Sequence, residues 1–298
     1  MENTSVRSVH IYIKKSHKTV QDSAQQLSRF FQENDISSRI VSGNDVRAEK
    51  PDIVFVLGGD GTFLSASHTY ASGEVPVIGI DLGGLGFLTE VSVDNMLCAA
   101  QQVLEGRFTI ESRMMADCAI HHASGDVEND VALNDVVIYR GPFAQMIRLR
   151  TSIDDEDLAV FPADGMIVAT PTGSTAYALS AGGPVVYPGL DLFLITPICA
   201  HTLYARSIVA APYSSIRVIL ESAKEGTMVT LDGQRGYLLD KDDYIEVRKS
   251  RLSNRMVKLT PEKPFYSLLR EKLSWGMDIR KRIDSECSKN SSSKTSSS

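Results

Sequence analysis

Ile53-Val54-Phe55-Val56-Leu57-Gly58-Gly59-Asp60-Gly61-Thr62 is an unbroken apolar run that ends in a glycine-rich turn. Five consecutive apolar residues suit a strand covered on both faces, as in a parallel sheet. Gly58, Gly59 and Gly61 let the backbone turn tightly or approach a ligand closely. Thr62 can cap the helix that reads on from it to residue 71. The same grammar continues on both sides. Residues 9–13 read as a strand. Residues 19–33 read as an amphipathic helix with Val20, Ala24, Leu27, Phe30 and Phe31 on one stripe. Residues 37–41 and 75–80 read as further strands, and residues 93–104 as a helix. Strand–helix alternation of this kind predicts an α/β fold with a mostly parallel sheet and right-handed crossovers.

After Gly106 the helical period fades. Short β-rich runs follow at residues 131–139, 146–153, 166–169, 207–211, 216–220, 228–231 and 244–249, which predicts a sandwich-like β domain. The expected organisation is an α/β domain over 1–106 that carries the glycine turn, and a β-rich domain over 107–262. A helix over 263–276, with Leu268, Leu269 and Leu273 on one face, is expected to pack back on the first domain. The polar, serine-rich residues 277–298 are expected to be disordered.

The bulk numbers narrow the function classes. The chain has 298 residues, 43% apolar and 23% charged, enough for a folded protein with a sizeable core. Its net charge of −6 lacks the basic footprint of a nucleic-acid binder. The first residues carry no apolar signal region, and no apolar run approaches the roughly 20 residues that span a bilayer. A cytoplasmic protein without membrane or nucleic-acid partners is expected. Cys98, Cys118, Cys199 and Cys287 form no zinc-ligand or C-x-x-C pattern. They read as reduced thiols, mostly small buried hydrophobes.

Four segments carry chemistry. The first is the turn at Gly58, Gly59, Asp60, Gly61 and Thr62. A glycine turn at a strand's carboxyl end, opening a helix, presents N–H groups and a positive dipole end to phosphate. It has neither the dinucleotide fingerprint spacing nor the Lys of a P-loop. Asp60 is the anomaly, because a phosphate cradle avoids added negative charge. It calls for a hydroxyl or a metal, although the turn alone is equally compatible with an incidental polar residue. The second segment is Asp81-Leu82-Gly83-Gly84-Leu85-Gly86-Phe87-Leu88, whose Phe87 suits either a core position or a stack on a base. In the third, Asn134 and Asp135 interrupt a strand-like run and together offer an amide and a carboxylate to ribose hydroxyls or an adenine amino group. The fourth, residues 164–184, is dense in Thr, Ser, Ala and Gly around one aromatic, Tyr177, with a short helix expected at 175–181.

In this order the four segments resemble the NAD kinase family, within the wider group of kinases that carry a Gly-Gly-Asp-Gly turn. Further matching stretches are residues 199–206, 231–234 and 265–275, so the resemblance runs from about residue 8 to residue 275. It implies an ATP-dependent phosphotransferase that converts NAD to NADP at the adenosine-ribose 2′-hydroxyl. It also implies ATP or polyphosphate as donor, and a homodimer or homotetramer. The divalent metal, Mg²⁺ or Mn²⁺, would arrive with ATP, with no metal site made by the protein alone. Asp60 is implied as proton acceptor. Asp60, Gly61, Phe87, Asn134, Asp135, Gln145, Asp164, Thr175, Ala176, Tyr177, Ala178, Leu179, Ser180 and Gln234 are implied on the dinucleotide. Gly58, Gly59, Gly61 and Thr62 are expected at phosphate. Pro162, Gln145 and Ser207 depart from the pattern, standing where arginine, histidine and proline are expected. Pro162 puts a charge contact to the dinucleotide in doubt.

An ionised carboxylate is a weak base for an alcohol. Phosphoryl transfer nevertheless has a loose transition state that needs little early proton transfer, so Asp60 is expected to orient the hydroxyl and accept its proton late. Two other readings are a lipid or sugar kinase of the same turn group and a non-catalytic NAD sensor. The segment at 172–180 and the Asn134-Asp135 pair argue against the first, and the intact Asp60 against the second.

Overall fold

The computed structural model describes residues 6–14, 17–43, 50–84, 86–141, 146–222, 226–262 and 264–273. Residues 1–260 form one compact unit and residues 261–298 a second. The described part of the second is helix α5 (Phe265–Leu273) with the residues just before it. The expectations for Gln145 and for residues 277–298 lie outside the described residues.

The first unit opens with β1 (Ser8–Ile13), α1 (Lys18–Glu33), β2 (Ser37–Ser42), β3 (Ile53–Leu57), α2 (Asp60–Ala71), β4 (Val77–Asp81), β5 (Val91–Ser92) and α3 (Met96–Leu104). These strands pair in parallel in the order β2-β1-β3-β4-β5. Alternate residues of each strand face opposite sides. Ile53, Phe55 and Leu57 pack with Leu27 and Phe31 of α1 and Ala99 and Val103 of α3. Val54 and Val56 pack with Phe63, Ala66 and Tyr70 of α2. The strand order reverses between β1 and β3, the switch point outside whose carboxyl ends ligands bind in open α/β sheets. The glycine turn after β3 stands there.

The remainder is β-rich: β6 (Phe108–His121), β7 (Val127–Ala132), β8 (Asp135–Tyr139), β9 (Ile147–Ile153), β10 (Glu156–Ala163), β11 (Gly165–Ala169), α4 (Tyr177–Ser180), β12 (Phe193–Ile198), β13 (Ile208–Ala210), β14 (Ile216–Ser222), β15 (Met228–Leu231), β16 (Arg235–Leu238) and β17 (Tyr244–Leu259). An antiparallel sheet in the order β13-β12-β11-β8-β15-β16 faces a second layer built from β10, β9, β14, β17, β6 and β7. Met114, Ile138, Leu149, Val168, Phe193, Val218, Leu231 and Val247 fill the space between them. β17 leaves this sandwich and reaches β4, where Met256 pairs beside Val77 in parallel register. No helix among the described residues is long and apolar enough to cross a membrane.

Several local expectations are corrected. Helix α2 begins at Asp60 with Gly59 as its cap, so Thr62 sits inside the first turn and caps nothing. The run at 131–139 is two strands in different layers, because the Asp232 carboxylate accepts the amides of Leu133, Asn134 and Asp135 and breaks the strand between them. The run at 244–249 continues ten residues further, through a register irregularity between Lys249 and Ser253. Cys118 is buried as expected, but Cys98 and Cys199 are exposed. Burial pushes the Cys118 thiol up to about 12, so it stays an unreactive hydrophobe.

Candidate active site

Gly58 is required in the glycine turn for steric reasons. A Cβ on Gly58, whose φ is +151°, would stand 2.4 Å from Thr62 Oγ1. The Thr62 and Phe63 amides close back on Gly59 O, at 2.8 and 3.2 Å. The first amides of a helix have no intrahelical acceptor, so the N–H groups of the first turn of α2 stay available at the switch point.

Asp60 is the first residue of that helix, and its carboxylate is firmly held. Oδ2 accepts the Phe87 amide at 2.9 Å. Oδ1 accepts the Leu88 and Thr89 amides at 3.0 and 3.1 Å and lies 3.0 Å from the Thr89 hydroxyl. The hydroxyl that Asp60 calls for is thus partly supplied from within the chain, and three backbone amides offset its charge. The second glycine segment makes this seat. A Cβ on Gly86 would fall 1.8 Å from Asp60 Oδ1, so only glycine lets the loop close on it. Thr89 is fully buried and also stands 3.1 Å from Asp81 Oδ2, while Asp81 Oδ1 accepts the Gly83 amide at 2.6 Å. Phe87 is partly exposed: its amide serves Asp60, and its ring belongs to neither N-terminal core.

A cleft of about 470 Å³ opens on the outer face of the β8–β15 sheet. Asp135, Val137 and Tyr139 line it at the strand's period of two, with Asn134, Ala176, Tyr177, Thr230, Asp232 and Gly233 around them. The Thr- and Ser-rich segment forms one wall. It passes through a 3₁₀ turn (Thr172–Thr175) into α4 and packs Ala178 on Ala169 and Leu194 of the sheet beneath. Close packing fixes this path, since a Cβ on Gly173 would fall 2.1 Å from Asn134 O.

Gln234 joins the turn to the cleft. Its Nε2 donates to Gly61 O at 2.5 Å, and its Oε1 accepts from Lys14 Nζ at 2.8 Å, beyond the end of β1. Sequence adjacency then carries the contact to Gly233 and Asp232 in the cleft lining. In the sequence Lys14 is one lysine in a charged run and gives no signal.

The cleft holds two buried carboxylates. Asp135 is only 5% exposed and has no side-chain hydrogen bond among the described residues. Burial, and then the Asp232 charge, push its carboxyl up to about 7. Burial raises Asp232 as well, opposed by the three amides it accepts. Asn134 Oδ1 and Thr172 Oγ1 are buried without a partner. Unpaired buried polar atoms are costly, and that of Asn134 lies on a residue that lines the cleft, where a polar ligand would satisfy it.

Other expected residues are placed apart. Asp164 is not in the cleft lining; its carboxylate pairs with Arg140 Nε at 2.7 Å. Ala178 turns its methyl fully into the sheet core instead of the cleft, because α4 has to cover that face. Thr175 bonds back to Thr172 O at 3.3 Å, Leu179 is half-buried, and Ser180 is exposed. Among the described residues, no group of three His, Cys, Asp or Glu is arranged to hold a metal ion. Thr89, Asp81 and Asp232 are shaping residues to which the sequence assigns no role, although Asp81 and Asp232 lie in segments it marks.

Comparison with known proteins bears on this geometry. Residues 3–108 match the ATP-NAD kinase N-terminal domain and residues 133–259 the ATP-NAD kinase C-terminal domain. The chain is 41% identical over 241 residues to the NAD kinase of Geotalea daltonii, covering 81% of this chain and 84% of that one. It is 43% identical over 225 residues to the NAD kinase of Caldanaerobacter subterraneus subsp. tengcongensis, covering 76% and 79%. Its fold is similar to that of yeast NADH kinase complexed with NADH, with a TM-score of 0.84 at 25% identity over 93% of this chain and 90% of that one. An NAD kinase from Archaeoglobus fulgidus in complex with ATP gives a TM-score of 0.73 at 25% identity, covering 90% and 100%.

Proposed function

The chain belongs to the NAD kinase family, and from that premise we propose that it moves the terminal phosphoryl group of ATP to the adenosine-ribose 2′-hydroxyl of NAD, with Asp60 as the proton acceptor. It is an ATP-dependent NAD kinase. One observation carries the assignment of roles: Gln234 ties the Gly61 carbonyl of the phosphate-type turn to the cleft of Asn134, Asp135 and Tyr177.

The dinucleotide's adenosine fits the cleft. Among the described residues Asn134 Oδ1 is buried there without a partner, with the buried Asp135 beside it, and Tyr177, 46% exposed, offers a ring face. Thr175 and Ser180 stand on the rim, Leu179 and Ala178 support it, and Asp164 with Arg140 serves the more distant nicotinamide half. The ATP phosphates take the first-turn amides from Gly59 to Gly61. A divalent metal, Mg²⁺ or Mn²⁺, enters on the triphosphate and neutralises its charge.

Asp60 Oδ1 accepts two amides and lies 3.0 Å from the Thr89 hydroxyl, whereas Oδ2 accepts one amide. Oδ2 is therefore the atom that meets the 2′-hydroxyl. The ribose oxygen bonds to the γ-phosphorus as the bond to the β,γ-bridging oxygen breaks, ADP leaves, and the proton passes late to Oδ2. Because the transition state is loose, the loop that seats Asp60 contributes chiefly by orientation, which can be worth several kcal/mol.

NADP formation measured with ATP or polyphosphate as donor, and NAD or NADH as acceptor, tests the reaction. Asp60→Asn should reduce kcat by orders of magnitude and leave NAD binding intact. An equally active variant would remove Asp60 from the role. A homodimer or homotetramer is also proposed. Leu203 and Tyr204 are 86% and 89% exposed, near strand β13 at the end of its sheet, a surface suited to a second copy.

A further inference from the structure

Glu90 directly follows the Phe87–Thr89 amides that hold Asp60. Its carboxylate pairs with Lys258 Nζ, which reaches it from β17. Lys258 is only 4% exposed and also stands 3.4 Å from Glu111, whose carboxylate pairs with the buried Arg113 at 2.8 Å. A buried lysine is expensive even when paired, and a well-packed apolar replacement of a whole buried pair is often neutral or stabilising. Stability alone therefore gives this chain little reason to keep the charges, and a function in fixing position accounts for them.

We propose that Glu90 and Lys258 are positioning residues for phosphoryl transfer. The ion pair ties the loop to β17, and the loop's amides fix the Asp60 carboxylate, Oδ2 by one amide and Oδ1 by two. The connection is direct: Lys258 to Glu90, through one peptide link to Thr89, whose amide and hydroxyl both reach Asp60 Oδ1. Gly79 confines Thr89 from the far side, where a Cβ would meet it at 2.8 Å. Once the tether is cut, the loop loses its ionic link to β17. The inference rests on the proposed role of Asp60 for its kinetic part only.

The test compares the full-length wild type with Glu90→Gln/Lys258→Met, which removes both charges at nearly constant volume, and with Glu90→Asp, which keeps the charge and shortens the reach. Hydrogen exchange by mass spectrometry reads the amides at 86–90, and steady-state kinetics read kcat, the KM values and NAD affinity. The expected result is faster exchange confined to 86–90, kcat lowered by about 10- to 100-fold as for an ångström-scale misplacement, and unchanged NAD affinity. Glu90→Asp should show the same pattern more weakly, and it serves if the double variant does not fold. Unchanged exchange at 86–90 in a folded variant overturns the tether. Faster exchange with unchanged kcat overturns the positioning role. If Asp60→Asn is itself fully active, the exchange result still decides the tether, and the failure belongs to the role of Asp60.

Discussion

Replacing Gly86 by alanine should separate where Asp60 sits from whether the protein folds. The added Cβ would lie 1.8 Å from Oδ1, 2.3 Å from Cγ and 2.6 Å from Oδ2, where ordinary contact begins near 3.4 Å. The carboxylate would have to retreat by about 1.6 Å, the difference between those first and last distances. The obstacle is a side-chain end, so Asp60 can swing aside and the backbone can stay. Swinging aside forfeits its bonds to Phe87, Leu88 and Thr89. A displacement of about 1 Å at a reacting group can cost about 10²-fold in rate, so kcat should fall by at least that factor. NAD affinity should hold, because Gly86 does not line the cleft. The assay is coupled NADP formation alongside calorimetric NAD binding and a thermal melt. Gly84→Ala is the control, since nothing lies within 4 Å of its Cβ. If Gly86→Ala keeps kcat within about threefold of wild type while Gly84→Ala does the same, the seat on Asp60 is irrelevant to the reaction.

Three further outcomes are expected. Asp135 is raised to about 7 by burial and by Asp232, so the folded state binds a proton that the unfolded chain releases near 4. The Asp135 contribution to stability should thus decline as pH rises from about 4 to about 7 and level off above, and Asp135→Asn should remove that contribution from the slope seen in melts taken across the range; an unchanged slope would contradict the raised Asp135 carboxyl. Asp232→Ala removes the acceptor of three amides at the sheet crossover and should cost about 2–5 kcal/mol in denaturant unfolding, with weaker NAD binding in the protein that remains folded. Leu203→Ser/Tyr204→Ser should shift the mass seen by light scattering toward the 32.6 kDa of one chain, whereas an unaltered assembly would move the interface elsewhere.

The parallel half of the fold was legible because its strands are buried on both faces and so read as unbroken apolar runs, with glycine ending β3 and an amphipathic helix after β1. The antiparallel half was less so. β6 carries Glu111, Arg113 and Asp117, and β12 contains Pro197, so neither reads as a strand. Both are long-range choices, made by the partners that cover them. In the site, glycine and hydroxyl density marked the right segments, because close backbone approach demands small residues. What each side chain does was less visible. Asp232 lies in a turn where aspartate is ordinary, and only the fold brings it to the three amides 97 to 99 residues away. Asp164 and Ala178 show the converse: their segment is at the site, while Arg140 and the sheet core claim their side chains.

Strand β17 has a consequence for how the chain is made. It is the last strand among the described residues, yet Met256 pairs beside Val77, and Met256 and Val257 pack into the two N-terminal cores. At ordinary synthesis rates the early sheet waits on the order of ten seconds or more for that partner. Until then the Val77 end of β4, beyond its short pairing with β5, lacks its partner, and the nascent chain is open to mispairing. A fragment ending near Gly106 would remain permanently in that state, so the N-terminal lobe should be recovered folded only when the chain through Leu259 is present, whether in one piece or supplied in trans.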